Sequence, residues 1–238
     1  MPKHGKRYLE SLKTFDRDQL YSVEEAVEIV KKNATAKFDE TIEVHFKLGI
    51  DPRHSDQQLR STVLLPNGLG KKVRVLVFAE GEAAKAAADA GADYIVDTEI
   101  MQKIQNGWFD FDAAIAMADQ MPSVGRLARV LGPRGLMPNP KSGTVVATPD
   151  LLGRAIEEAK AGRVEFRNDK TGNLHIPAGK ASFDLDKLIE NVKAVYSAIE
   201  ANKPSGVKGI YMRRVVITST MGPGVRVAVT GASNYSAN

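Results

Sequence analysis

The chain of 238 residues has no cysteine. That absence excludes disulfide frameworks, thiolate metal sites and cysteine-based redox chemistry. The four histidines, His4, His45, His54 and His175, are too scattered in sequence to suggest metal-ligand spacing. No metal or other cofactor is expected. No apolar run approaches the roughly 18 residues that a membrane-spanning helix needs. The basic opening, Met-Pro-Lys-His-Gly-Lys-Arg, leads into no apolar signal core, so a cytoplasmic protein without a membrane partner is expected. Catalytic spacings are missing as well: there is neither a Gly-x-Ser-x-Gly elbow nor a His-Glu-x-x-His helix. The acidic pairs Glu24-Glu25 and Glu157-Glu158 fall in helical segments and read as solvated faces rather than paired catalytic carboxylates. No catalytic residues and no enzymatic activity are expected.

What is present is 43% hydrophobic and 26% charged, enough for one large or two modest cores. Thirty-three Lys and Arg against 29 Asp and Glu leave a formal charge of +4, which favours an anionic partner without naming it. Ser22 and Glu25 have capping-box spacing, and Val23, Val27 and Val30 recur at helical intervals, predicting a helix that ends near Lys32. Residues 41–50 alternate strictly, Ile42, Val44, Phe46, Leu48 and Ile50 against Thr41, Glu43, His45 and Lys47, as in a half-buried antiparallel strand.

From Gly68 the style changes. Residues 73–79 are almost continuously apolar, as in a strand covered on both faces, and an Ala-rich helix follows to Ala90. Apolar runs at 94–96 and 113–117 alternate with helical stretches, and a further helix is predicted over 150–160, which suggests a small parallel α/β domain. After Gly162 antiparallel strands return around 164–166 and 174–177. A strong helix then carries Leu185, Leu188, Ile189, Val192, Val195, Tyr196 and Ile199, with Asp184 as its N-cap, before two last strands near 210–218 and 225–229. The flanks share a style that the middle lacks. We therefore expect an outer domain in two parts, 1–68 and 161–238, interrupted by an inserted domain, 69–160, with hinges near 68 and 161. The inserted segment holds 11 basic and 12 acidic residues against 22 and 17 outside it, so the outer domain is the half expected to meet a polyanion.

Gly68-Leu69-Gly70-Lys71 precedes a strand, whereas a dinucleotide fingerprint follows one and opens a helix. In the stretch 135–142, Pro140 stands where a Walker loop has the glycine before its lysine, and proline has no N–H to offer phosphate. Leu131-Gly132-Pro133-Arg134-Gly135 reads either as a rigid loop presenting Arg134 and Lys141 or as a purely structural turn. Two segments combine cations with hydrogen-bonding side chains suited to RNA: Lys37-Phe38-Asp39-Glu40-Thr41 and Arg167-Asn168-Asp169-Lys170-Thr171-Gly172. Phe38 either stacks on RNA or caps the core. Arg213-Arg214 is ambiguous, because neighbours in a regular strand face opposite ways. The rival function is an enzyme that binds a nucleotide or phosphorylated metabolite in the inserted domain.

Taken together, Met-Pro-Lys-His-Gly-Lys-Arg at the start, Ala-Lys-Phe-Asp-Glu-Thr-Ile-Glu-Val-His at 36–45, Lys-Leu-Gly-Ile-Asp-Pro-Arg at 47–53 and Leu-Pro-Asn-Gly-Leu-Gly-Lys at 65–71 resemble one family. So do Gly-Ala-Asp-Tyr at 91–94, Leu-Gly-Pro-Arg-Gly-Leu-Met-Pro-Asn-Pro-Lys at 131–141, Glu-Phe-Arg-Asn-Asp-Lys-Thr-Gly at 165–172 and Thr-Met-Gly-Pro at 220–223. The family is that of bacterial large-subunit ribosomal protein one, the universal protein of the mobile exit-site stalk. The resemblance implies a mixed α/β fold: a discontinuous outer domain with a split β-α-β antiparallel sheet like an RNA-recognition motif, and an inserted Rossmann-like three-layer α/β domain. It implies binding to the stalk region of large-subunit rRNA within the large ribosomal subunit, help in releasing deacylated tRNA from the exit site, and repression of its own operon through the mRNA leader. A free monomer is expected. Carried over by position, the implied rRNA contacts are Lys37, Phe38, Thr41, Arg167, Lys170, Ser219, Thr220, Met221 and Gly222, with Arg134 and Lys141 facing tRNA. The Gly231–Asn238 tail matches no pattern and is expected to be disordered.

Overall fold

The computed structural model describes residues 5–229, so the carboxy-terminal tail lies outside the described residues. In chain order the elements are α1 (Lys6–Ser11), α2 (Val23–Asn33), β1 (Thr41–Leu48), β2 (Arg60–Leu64), β3 (Val75–Phe78), α3 (Gly81–Asp89), β4 (Tyr94–Ile95), α4 (Thr98–Gln105) and β5 (Ala113–Met117). They continue with α5 (Met121–Arg126), α6 (Ala128–Leu131), β6 (Val145–Val146), α7 (Pro149–Lys160), β7 (Arg163–Arg167), β8 (Asn173–Lys180), α8 (Leu185–Ala201), β9 (Met212–Ser219) and β10 (Val225–Val227). Contacts divide the chain into two compact units, one built from residues up to Gly70 and from Val164 onward, the other from Lys71–Arg163.

In the outer unit the capping box is formed: Glu25 N–H donates to Ser22 Oγ at 3.2 Å, and Ser22 N–H donates to the Glu25 carboxylate at 2.9 Å. Val23, Ala26, Val27 and Val30 make the buried stripe of α2. Along β1, Ile42, Val44, Phe46 and Leu48 are buried while the residues between them keep partial exposure. This strand lies inside an antiparallel sheet ordered β10-β9-β1-β8. Helices α2 and α8 pack on the buried side, where the Phe46 and Tyr196 rings meet edge to face at 5.1 Å. The opposite side, carrying Thr41, Glu43, His45 and Lys47, is left to solvent. β2 and β7 form a separate two-stranded sheet. Asp184 holds the N-cap position of α8, yet its side chain makes no capping bond and pairs with Lys187 at 3.1 Å.

The inserted unit is a parallel sheet ordered β4-β3-β5-β6 with helices on both faces. β3 is buried along its whole length because its alternate side chains enter different cores. Val75 and Val77 pack with Ala83 and Ala87 of α3 and Leu152 and Ile156 of α7. Leu76 and Phe78 pack with Ile104 of α4, Val124 of α5 and Leu131 of α6. The result is the three-layer, Rossmann-like arrangement. The chain leaves the outer unit at Gly70, whose φ of +71° and position against the Phe183 ring, 2.6 Å from where a Cβ would stand, together require glycine.

Candidate nucleic-acid interface

The first cluster is organised by a residue not singled out in the sequence. Glu40 is buried and precedes β1. Its carboxylate accepts from Ala36 N–H at 2.8 Å, Ser219 Oγ–H at 2.7 Å and Met221 N–H at 2.9 Å. Burial favours the neutral acid, but these three bonds and the nearby Arg7 charge outweigh it and hold the carboxyl below its ordinary 4.5. Glu40 thereby ties the segment before β1 to the turn after β9. A second tie is made by Thr220, whose hydroxyl accepts from Thr41 N–H at 2.9 Å.

Around this anchor the expected contact residues separate into two groups. Lys37, Phe38, Thr220 and Met221 are exposed, and the apolar Phe38 and Met221 are 55% and 54% accessible. Phe38 therefore does not cap the core. Ser219 is different: it is buried, and its hydroxyl is committed to Glu40, so it shapes the turn and is not an accessible contact. Gly222 has an ordinary negative φ; a Cβ there would lie 2.5 Å from Ser219 Oγ, so glycine is required by packing against Ser219. Thr41 is half-buried, with Oγ1 accepting from Lys180 Nζ at 2.9 Å.

The second cluster lies at the other end of β1, where Leu48 N–H donates to the Gly172 carbonyl at 2.9 Å. Here Asp169 organises the loop, accepting from the backbone and side chain of both Thr171 and Asn173 at 2.8–2.9 Å. Partial burial works against ionisation, yet the bonds from Asn173 and Thr171 hold this carboxyl far below its ordinary 3.8. Arg167 and Lys170 stand exposed on this loop and, with Arg53, Gln58 and Asn168, line a groove of about 330 Å³. The two clusters are separated by the length of β1, about 24 Å for seven steps of ~3.4 Å.

In the inserted unit Arg134 and Lys141 are both exposed. The Arg134 guanidinium sits 3.8 Å from the Phe109 ring centroid, and Lys141 N–H donates to the Asn139 side chain at 2.8 Å. The helix that follows β3, where a doubly wound nucleotide site would seat a phosphate, carries Glu80 at its N-cap and Glu82 in its first turn. Two carboxylates there repel a phosphate. Among the described residues no group of three or more His, Cys, Asp or Glu is placed to hold a metal ion, and no helix is long and apolar enough to cross a membrane.

The fold is that of a two-unit α/β protein: an outer sheet of RNA-recognition-motif type, helices on one face and polar side chains on the other, interrupted by a Rossmann-like unit. Residues 30–223 match the Ribosomal protein L1p/L10e family, and the chain belongs to that family of ribosomal structural proteins rather than to an enzyme family. It is 58% identical over 228 residues to the large ribosomal subunit protein uL1 of Thermus thermophilus, covering 95% of this chain and 98% of that one. It is also 58% identical to the uL1 of Chloroflexus aurantiacus over 238 residues, the full length of both.

Proposed function

We propose that this chain is a structural, RNA-binding protein of the large ribosomal subunit that grips the folded stalk region of large-subunit rRNA with its outer unit. The observation that carries the reading is the Glu40-centred cluster, which fixes Lys37, Phe38, Thr220 and Met221 as an exposed set of a cation, an aromatic ring, a hydroxyl and a thioether. Folded RNA is recognised through its shape, 2′-hydroxyls and unstacked bases, with phosphate contacts supplying salt-dependent affinity. In this reading Lys37, Phe38, Thr41, Thr220 and Met221 touch the RNA, Arg167 and Lys170 neutralise phosphates, and Ser219 and Gly222 shape the turn. The names of the relatives support a place in the large subunit.

The finer roles follow from the same surface. The stalk so formed assists movement and release of deacylated tRNA from the exit site, with Arg134 and Lys141 of the inserted unit facing that tRNA. An mRNA leader that imitates the rRNA site competes for the outer unit and represses the protein's own operon. The protein works in the cytoplasm on the ribosome, is monomeric when free and needs no cofactor. The test is affinity for the rRNA stalk fragment across a salt series, with an equal-length scrambled RNA beside it. A preference of roughly 10³ or more is expected. Equal, weak and steeply salt-dependent binding to both RNAs would sink the reading.

A further inference from the structure

The polar side of the outer sheet carries a cation cluster that the two end clusters do not use. Lys47 on β1 lies opposite Arg214 on β9 and Asn173 on β8. At the next step Leu48 pairs with Met212, which leaves Arg213 as the extra residue of a β-bulge. A regular strand would send Arg213 and Arg214 to opposite faces. The bulge instead leaves both exposed, and both line a shallow groove of about 450 Å³ with His45, Lys47, Asn173 and His175. Among the described residues neither Lys47, Arg213 nor Arg214 has an Asp or Glu within 4.0 Å, and the Lys47 ammonium donates to the Thr171 carbonyl.

Beside these cations His45 and His175 face each other across the β1–β8 ladder, with Nδ1 atoms 2.8 Å apart and ring centroids at 4.9 Å. At that separation one ring donates and the other accepts, so the neutral pair holds one proton between the facing nitrogens. The charged groups around the pair come from every neighbouring strand. β1 contributes Glu43, 3.6 Å from His45 Nε2, and Lys47. Asp169 stands 3.9 Å from His175 Nε2 in the turn before β8, and Lys180 ends that strand, bonded to Thr41. β9 contributes Arg213 and Arg214; Arg226 on β10 is paired with Asp18 at 3.7 Å.

We propose that this open sheet face is a phosphate track for RNA: Lys47, Arg213 and Arg214 are fixed cations, and His45, set against the His175 ring, gains a proton as a phosphate seats on it. The inference rests on the RNA-binding reading and deepens it. It is supported by charge complementarity and by continuity, since this face runs along β1 between the two end clusters. Burial and the His175 charge hold His45 below its ordinary 6.5, and a phosphate seated beside the ring acts in the opposite sense, favouring its charged form.

The test uses the full chain and the rRNA stalk fragment, with salt series at pH 8 and pH 6. The Arg213→Gln/Arg214→Gln double variant should lower the slope of log K against log salt by about 1.4 to 1.8, on the scale of about 0.7 to 0.9 per phosphate contact. Wild-type affinity should rise several-fold from pH 8 to pH 6, and the rise should vanish in His45→Asn/His175→Asn. Should that variant unfold, the exposed arginines still carry the test. Slopes and pH profiles that superimpose on wild type, while Thr220→Val still weakens binding, overturn the track and leave the end clusters as the site. A flat wild-type pH profile overturns the histidine part. If Thr220→Val is also silent and scrambled RNA binds equally well, the RNA-binding reading itself fails.

Discussion

The Glu40 carboxylate accepts a 2.7 Å hydrogen bond from the Ser219 hydroxyl across 179 residues of sequence, and both side chains are buried. Glu40→Ala leaves Ser219 Oγ–H and the N–H groups of Ala36 and Met221 without their acceptor. Leaving buried donors unpaired costs on the order of 1–3 kcal/mol. Urea unfolding should show that loss, and RNA affinity should fall although Glu40 is hidden from RNA. The pH dependence has a definite sign. A carboxyl depressed below 4.5 contributes stability that is fully present above 4.5 and is lost as pH falls through its lower folded value. Glu40→Gln should therefore flatten the stability-against-pH curve below 4.5 relative to wild type.

At the apex of the same turn, Thr220→Val removes the acceptor for Thr41 N–H, and Met221→Asp places a negative charge at an exposed position. Each should weaken rRNA binding about tenfold or more, equivalent to about 1.4 kcal/mol. Unfolding midpoints should move little, because both side chains are exposed. Unchanged affinity in both variants would move the RNA site elsewhere.

The outer core makes a prediction of stability alone. Phe46 is fully buried and meets Tyr196 edge to face at 5.1 Å. Phe46→Ala should cost about 3–5 kcal/mol, from lost burial plus a cavity, and Phe46→Leu much less. Denaturant unfolding measures both.

These elements divide sharply by how they were written into the chain. β1 was legible because Ile42, Val44, Phe46 and Leu48 alternate against one buried face, and α2 because Ser22 and Glu25 close a local box. β3 was legible as a doubly covered run, although it begins at Val75 rather than 73. β2, with Val63 as its one buried residue, and the two-residue β6 carry too little periodicity to be seen. α1 lies in the basic arm, where no apolar stripe announces it. The exposed residues proposed as RNA contacts could be named from local composition and resemblance. Glu40 could not, since its role depends on a partner 179 residues away, and Arg213 could not, since its orientation is set by a bulge in pairing. The burial of Ser219 could not be read for the same reason: exposure at a turn is a tertiary property.

Asp169 supplies a prediction in which two physical effects have opposite signs. Asp169→Asn removes one negative charge beside Arg167 and Lys170, and charge alone would raise affinity for a polyanion. The same change replaces an acceptor of four hydrogen bonds with a group that also carries an NH₂, which faces the donors Thr171 and Asn173. The carboxylate is 39% exposed, so the stability loss should be only about 1 kcal/mol, at the low end for a lost acceptor. In wild type this contribution is present above 3.8 and persists until the pH falls far below that value, because the folded carboxyl is strongly depressed. RNA affinity decides between the effects. If the loop's shape presents Arg167 and Lys170 to phosphates, Asp169→Asn should weaken binding to the rRNA stalk fragment despite the gain in positive charge. A rise in affinity would show that these cations act as a diffuse field, and that the loop geometry around Asp169 plays no part in recognition.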